Sequence, residues 1–297
     1  MDSREQMRVR VHVFPDSERI GRRLARGAGA PWSRIAPHSF PDGESLVRVH
    51  LPTGRHAVLV RSLHQPNAKL VETVLAADAL RRGGARRVTL VAPYLPYMRQ
   101  DAQFMPGEPV SQRVIGEWLG RAFDAVLTVE AHLHRISRLD ECVPRGRSLS
   151  VAPAIAQWLR RRRAPAVVVG PDEESEPWVR AVALASRLPW AVGRKRRHGD
   201  RAATVEVDGL AGARRAVIVD DIASSGGTLS ATARALRRQG VKTVDAVVVH
   251  AIFARGALGR IASAGVRRVV SCDTIPHVTN AIAVAPIVAA ALRVEAR

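Results

Sequence analysis

Val217-Ile-Val-Asp-Asp-Ile-Ala-Ser-Ser-Gly-Gly-Thr-Leu229 is the stretch on which the fold turns. Apolar residues run into the adjacent carboxylates Asp220 and Asp221, a loop of small residues follows, and a helical pattern begins at Leu229. This is the signature of a buried strand, a turn and a helix N-terminus. Such a turn aims several backbone N–H groups at one anion, and the helix dipole adds to the attraction. Gly226 and Gly227 let the backbone approach a ligand, while Ser224, Ser225 and Thr228 add hydroxyl donors. Asp220 and Asp221 stand where the hydroxyls of a sugar, or its metal, would lie. The ligand implied is a phosphorylated sugar. For a Gly-Gly pair alone, an ordinary capped turn is the better reading.

Working outward, strand-like runs alternate with helical patterns along the chain. Strands are expected at Val9–Phe14, His56–Ser62, Arg87–Ala92, Ala125–Val129, Ala166–Val169, Ala216–Val219, Val244–Ala251 and Arg267–Ser271. Between them, helices are expected at Ser17–Arg26, Ala68–Arg82, Ser111–Ala122, Val151–Arg162, Glu176–Leu188, Leu229–Gln239 and Arg255–Ala264. The alternation predicts mostly parallel sheets flanked by helices. Val217–Val219 and Val247–Val249 are the continuous β-branched runs of strands buried on both faces. A Pro/Gly/Arg-rich segment at Arg145–Ser150 separates two such series. It divides the chain into an N-terminal domain, residues 1–147, and a C-terminal domain, residues 148–297. The last segment, Pro276–Arg297, is expected to fold back as a terminal helix on the first domain.

The 297 residues suffice for two domains, each with its own core. No apolar run reaches the roughly 18–20 residues of a membrane helix, and the N-terminus Met1-Asp-Ser-Arg-Glu-Gln has no apolar signal core. A cytoplasmic protein without membrane contact is expected. Cys142 and Cys272 form no CxxC or zinc spacing and read as reduced structural thiols. The net charge of +19 raises the question of nucleic acid. However, the arginines are spread along the chain, aromatics for base stacking are scarce, and no nucleic-acid module is present. A solvated arginine surface is the favoured reading, and no nucleic-acid partner is expected.

Further segments carry chemistry. Phe40-Pro-Asp-Gly-Glu44 holds a turn, Asp42-Gly43, beside an aromatic. Pro93–Ser111 is a long Pro-rich loop after a buried strand, and loops of that length tend to be functional. Its polar centre is Arg99-Gln100-Asp101. Arg99 suits a phosphate. Phe40 and Phe104 suit a flat base, with core packing as the alternative for each. Glu130-Ala-His132-Leu-His134 follows a strand, at the end where open α/β sheets bind ligands. Asp172, in Gly170-Pro-Asp-Glu-Glu-Ser175, suits hydrated Mg²⁺, with a helix N-cap as the alternative. Arg194-Lys-Arg-Arg-His-Gly-Asp200 reads as a dense basic loop, a cationic flap between the Asp172 loop and the sugar-phosphate loop.

The Asp220–Thr228 loop resembles the ribose-phosphate loop of type I phosphoribosyltransferase folds. With the other segments it resembles the ribose-phosphate diphosphokinase family over nearly the whole chain. Phe40-Pro-Asp-Gly-Glu44, Tyr97-Met-Arg-Gln-Asp101 and Glu108-Pro-Val-Ser111 are similar to that family's nucleotide segments. The resemblance implies two phosphoribosyltransferase-like α/β domains and a diphosphoryl transfer from ATP to ribose 5-phosphate, with Mg²⁺ as cofactor, in a homo-oligomer. It implies that Phe40, Asp42, Glu44, Arg99, Gln100, Asp101 and Phe104 bind ATP, and that His132 and Asp172 stand at the metal. It also implies that Lys195 and Arg197 are catalytic, and that Asp220, Asp221, Ala223, Ser224, Ser225, Gly226, Gly227 and Thr228 bind ribose 5-phosphate. Departures are visible. Glu173-Glu174-Ser175 stands where usual bacterial members carry Ala-Gly-Gly, and Glu130 and Leu133 replace Asp and Ala around the histidine. Two rival readings are a regulatory homologue without activity and a phosphoribosyltransferase consuming the activated sugar.

Overall fold

The computed structural model describes residues 9–162, 166–198, 202–210 and 212–295; the side chains of residues 195–198, 202–204, 294 and 295 lie outside that description. The chain forms two units. One comprises residues up to Leu149 together with Thr274–Pro276 and the residues from Val284; the other comprises Ser150–Asp273 and His277–Ala283.

The first unit contains β1 (Val9–Val13), α1 (Glu18–Ala28), β2 (Trp32–Arg34), β3 (Ala36–Ser39), β4 (Ser45–Arg48), β5 (His56–Val60), α2 (Pro66–Arg82), β6 (Arg87–Ala92), α3 (Ser111–Ala122), β7 (Ala125–Val129) and β8 (Gly146–Leu149). Six strands form a sheet in the order β2-β1-β5-β6-β7-β8, and every pairing is parallel. Ala57, Val58, Leu59 and Val60 are wholly buried, as expected where helices cover both faces of a sheet. β3 and β4 form a separate antiparallel hairpin.

The second unit contains α4 (Ala152–Arg160), β9 (Val167–Gly170), α5 (Glu176–Ser186), β10 (Trp190–His198), β11 (Ala202–Val207), β12 (Arg215–Ala223), α6 (Gly227–Arg238), β13 (Thr243–Ala251), α7 (Ala257–Ser263), β14 (Val266–Cys272) and β15 (Asn280–Ile282). Its sheet runs β11-β10-β9-β12-β13-β14-β15. All neighbours are parallel except β10 and β11. The last helix, α8 (Ala285–Glu295), belongs to the first unit and packs on α1. Gly27 makes this approach possible, because a Cβ there would lie 3.0 Å from that of Ala289. Arg293 donates to the Gly27 carbonyl.

Three segments differ from the expectation. The stretch at 145–150 is no open connector, since Gly146–Leu149 is an edge strand paired with β7. The basic segment is no loop. Gly193 to His198 pairs antiparallel with Ala202 to Val207, a β-branched and alternating run that supplies the ladder. Asn280–Ile282, expected inside a terminal helix, is a short strand on β14. No helix among the described residues is long and apolar enough to cross a membrane.

Candidate active site

In the second unit, Val217, Ile218 and Val219 are buried in the centre of the sheet, and β12 continues past them through Asp220 and Asp221 to Ala223. Asp220 lies in register with Val248. Burial, the neighbouring Asp221 carboxylate and that of Asp172 push the Asp220 carboxyl well above the usual carboxylate range. An acid buried beside two other carboxylates suits a set of donor hydroxyls or a cation.

The loop after the strand is held from behind. Ile252 N donates to Ala223 O (3.1 Å), and Ala254 N to Ser224 O (3.1 Å). Arg260 donates through Nε (3.2 Å) and Nη2 (2.9 Å) to Ser225 O. Gly226 has φ 77°, and a Cβ there would stand 2.8 Å from the Ile261 side chain, so glycine is required for both reasons. Gly226 is the N-cap of α6, and Ser225 Oγ accepts from Gly227 N (3.3 Å). The carbonyls thus face the protein scaffold, and the amides at the start of α6 have no side-chain cap beyond this short contact. Arg260 is a positioning residue without a local sequence signal, since it acts from α7.

Asp172 follows β9. It is the N-cap of a 3₁₀ turn and accepts from Ser175 N (3.3 Å), while Ser175 Oγ donates to the Asp172 carbonyl. Glu173, outward on this turn, pairs with Arg194 at 3.5 Å, and Arg194 lies 3.8 Å from Asp208. Lys195 and Arg197 sit on β10, in register with Val205 and Ala203, and their side chains lie outside the described residues.

In the first unit, Phe40–Glu44 is the tip of the β3–β4 hairpin. Asp42 accepts from Glu44 N (3.0 Å), Phe40 N donates to Glu44 O (2.8 Å), and Gly43 has φ 93°. Phe40 is 40% exposed and Phe104 62% exposed, so neither is a core residue. His38 meets Phe40 edge-on at 4.8 Å. In the long loop, Tyr97 takes a positive φ of 66°, and its hydroxyl donates to Asn67 at 2.6 Å. Met98 is buried, and its carbonyl accepts from Gln112 Nε2 (3.2 Å). Gln112 N donates to Gln100 O (3.1 Å). Arg99 and Gln100 therefore project outward from an anchored turn. The Asp101 side chain is only 8% exposed and pairs with Arg135 (3.5 Å). The Glu108 carboxylate accepts from Phe104 N and Met105 N (3.2 and 3.0 Å), which shapes the loop's apolar tip.

Beyond β7, Glu130 takes φ 41°. Glu130 N donates to Leu149 O (3.0 Å), and Ala131 N to Ser148 Oγ (2.8 Å). The His132 and His134 rings then lie 4.1 Å apart. Among the described residues, no three His, Cys, Asp or Glu side chains converge in metal-ligand geometry.

The sheets, the acid pair and the amide-lined helix start define a protein built of phosphoribosyltransferase-type domains. A family profile described as the N-terminal domain of ribose phosphate pyrophosphokinase matches residues 10–122, and a phosphoribosyl transferase domain profile matches residues 145–286. The ribose-phosphate pyrophosphokinase of Methanopyrus kandleri is 34% identical over 95% of this chain and 98% of its own length. That of Thermococcus kodakarensis is 34% identical over 88% and 92%. The crystal structure of phosphoribosylpyrophosphate synthetase from Mycobacterium smegmatis shares the fold, with a TM-score of 0.83 at 22% identity, covering 97% of this chain and 98% of that one. The chain belongs to the ribose-phosphate pyrophosphokinase family.

Proposed function

We propose that this protein transfers the β,γ-diphosphate of ATP to the 1-hydroxyl of ribose 5-phosphate, giving phosphoribosyl pyrophosphate and AMP. The sugar O1 forms a bond to the β-phosphorus. The bond from that phosphorus to the oxygen bridging to the α-phosphate breaks, its electron pair leaves on AMP, and the hydroxyl proton passes to solvent. The observation that carries this reading is Asp220-Asp221 running directly into the amide-lined start of α6, in a member of this family.

In this reading the N–H groups and hydroxyls of Ser224, Ser225, Gly226, Gly227 and Thr228 hold the 5-phosphate, with Ala223 setting the turn. Asp220 and Asp221 accept from the ribose hydroxyls. Lys195 and Arg197 neutralise charge on the transferring diphosphate. Phe40 and Phe104 offer exposed faces to the adenine, and Arg99 and Gln100 bind phosphate oxygens. Asp42 and Glu44 complete the ATP site at the hairpin tip. Asp101 contributes by fixing Arg135 rather than by contact. Nucleotide binding thus belongs to residues 1–147 and sugar phosphate to 148–297.

Oxygen donors suit Mg²⁺, and the Asp172 carboxylate follows β9 in the unit that also carries Asp220 and Asp221. His132 and Asp172 are each proposed from the family resemblance as metal-site residues, and Mg²⁺ is usually bound by few protein ligands with substrate phosphates and water. It would supply Lewis-acid charge to the transferred group. Homo-oligomeric assembly is proposed from the family. A cytoplasmic location is proposed from the substrates and the two buried free thiols.

AMP formation from ATP, Mg²⁺ and ribose 5-phosphate tests the reading, with Asp221→Ala as control. Sugar-dependent AMP that disappears in the variant supports it. Folded protein that makes none points to a regulatory homologue, and base-dependent pyrophosphate release points to a phosphoribosyltransferase.

A further inference from the structure

The second unit has a hollow at the opposite end of β12 from Asp220 and Asp221. Its volume is about 280 Å³, and its lining includes Trp158, Arg162, Arg215, Asp245 and Arg267. Arg215 is the first residue of β12. At about 3.3 Å per strand residue it lies roughly 17 Å along the sheet from Asp220, so the hollow is no extension of the sugar loop.

Its charge is unbalanced. Asp245, 8% exposed, is fully engaged by Arg267, which donates through Nε (3.0 Å) and Nη2 (2.6 Å). Among the described residues, no carboxylate pairs with Arg162 or Arg215. Arg162 is exposed but not unplaced, for its guanidinium lies over the Trp158 ring, 3.9 Å from the centroid. Burial, and then the charge of Arg268, lower its pKa; Asp245 opposes this, and Arg267 adds a smaller lowering. A solvated arginine surface spreads like charges apart. Here Arg162, Arg215 and Arg267, two of them exposed, line one concavity around a single, already paired acid.

We propose that this hollow binds a small phosphate-bearing anion, separately from the substrates of the proposed reaction. Guanidinium forks match phosphate oxygens in pairs, and an arginine held on an aromatic face is pre-oriented for that contact. At about 280 Å³ the space sits at the small end of ligand pockets, which favours a free phosphate, a diphosphate or a sugar phosphate over a polymer. This inference does not depend on the proposed reaction.

Calorimetric titration of the full chain with inorganic phosphate and with pyrophosphate, at constant ionic strength, tests it. Three forms are compared: wild type, Arg162→Gln/Arg215→Gln, and Gly227→Val, which blocks the sugar loop. The expected result is an anion-binding step that survives Gly227→Val and weakens about tenfold or more in the arginine variant, since a charge-assisted hydrogen bond contributes on that scale. Turnover of the arginine variant at saturating substrates stays within twofold of wild type. Arg162→Gln alone gives the same reading should the double variant not fold. Equal affinity in wild type and the arginine variant would overturn the proposal. So would a binding step lost only in Gly227→Val. Weakened binding of a single-stranded oligonucleotide with phosphate and pyrophosphate unaffected would also overturn it, and would make the hollow a nucleic-acid contact.

Discussion

Gly170→Ala tests whether the Asp172 turn is a built part of the site. A Cβ at position 170 would stand 2.2 Å from Ser175 Oγ and 2.8 Å from Val179 Cγ2, against ordinary contacts of 3.4–4 Å. Val179 is wholly buried and has nowhere to go. Ser175 must therefore yield, by about 1 Å or more if van der Waals contact is to be restored. Ser175 holds Asp172 through its amide and its hydroxyl, so Asp172 moves with it. Overpacking of this kind costs about 1–3 kcal/mol, and a 1 Å misplacement near the reacting atoms costs up to about 100-fold in rate. The expected outcome is a fall of about 10- to 100-fold in AMP-forming turnover with a stability loss of about 1–3 kcal/mol, read from turnover assays and urea midpoints. Gly170→Ala/Ser175→Ala should regain part of the stability and little of the turnover, because the clash is relieved but the turn's bonds stay lost. Gly259→Ala is the control. That glycine is helical with nothing within 4 Å of a new Cβ, so the protein should gain up to about 1 kcal/mol with unchanged turnover. Near-wild-type turnover in Gly170→Ala would refute the link between this turn and the chemistry.

Other consequences follow from the same geometry. Burial lowers the pKa of His12, bound to Ser33 and the Thr53 carbonyl, to about 4, and that of His56 to about 4. Both are neutral in the fold, so the unfolded chain takes up protons first as the pH falls. Their contribution is complete above about pH 6.5 and is lost toward pH 4, up to about 3 kcal/mol for His12. Urea midpoints should therefore drop between pH 7 and pH 5, less steeply in His12→Gln; parallel profiles would count against it. Arg61, buried on Phe14 and paired with Asp16 (3.2 Å) and Glu72 (2.6 Å), should cost about 3–5 kcal/mol when replaced by Met, because two acids are left without it. An equal midpoint would show that Lys69 compensates. Burial raises the Cys142 thiol to about 11, so native protein at pH 8 should resist thiol reagents at Cys142 until denaturant is added. Lys195→Ala should cut turnover by orders of magnitude with little change in melting, and near-normal turnover would remove the basic strand from the mechanism.

Much of the fold was legible because its strands are short, β-branched and buried on both faces. Val217–Val219 can be little else, and the small-residue loop behind it announces a helix start. The family resemblance and its two-domain α/β architecture rest on such contiguous segments, and the matched relatives and the shared fold bear them out. Less legible were elements whose identity depends on a partner strand. Arg194–His198 looks like a solvated charge run in isolation, and becomes a strand only because Ala202–Val207 supplies a ladder. Gly146–Leu149 reads as a connector and is an edge strand on β7.

The sequence by itself singled out the segments proposed to carry chemistry: the acid pair, the glycine loop, the Phe40–Glu44 turn, the Arg99–Asp101 turn and the basic run. Each is contiguous, and its residue types declare a local backbone geometry. Only the tertiary structure decided how those side chains are held. Arg260 grips Ser225 from α7, Arg135 pairs with Asp101, and burial, the adjacent Asp221 and then Asp172 from the turn after β9 raise the Asp220 carboxyl. Arg162, Arg215 and Arg267 meet around Asp245 although they are far apart in the chain. Charge–charge and hydrogen-bond energies depend on distances through space, and a sequence fixes such distances only within a turn or two of its own backbone.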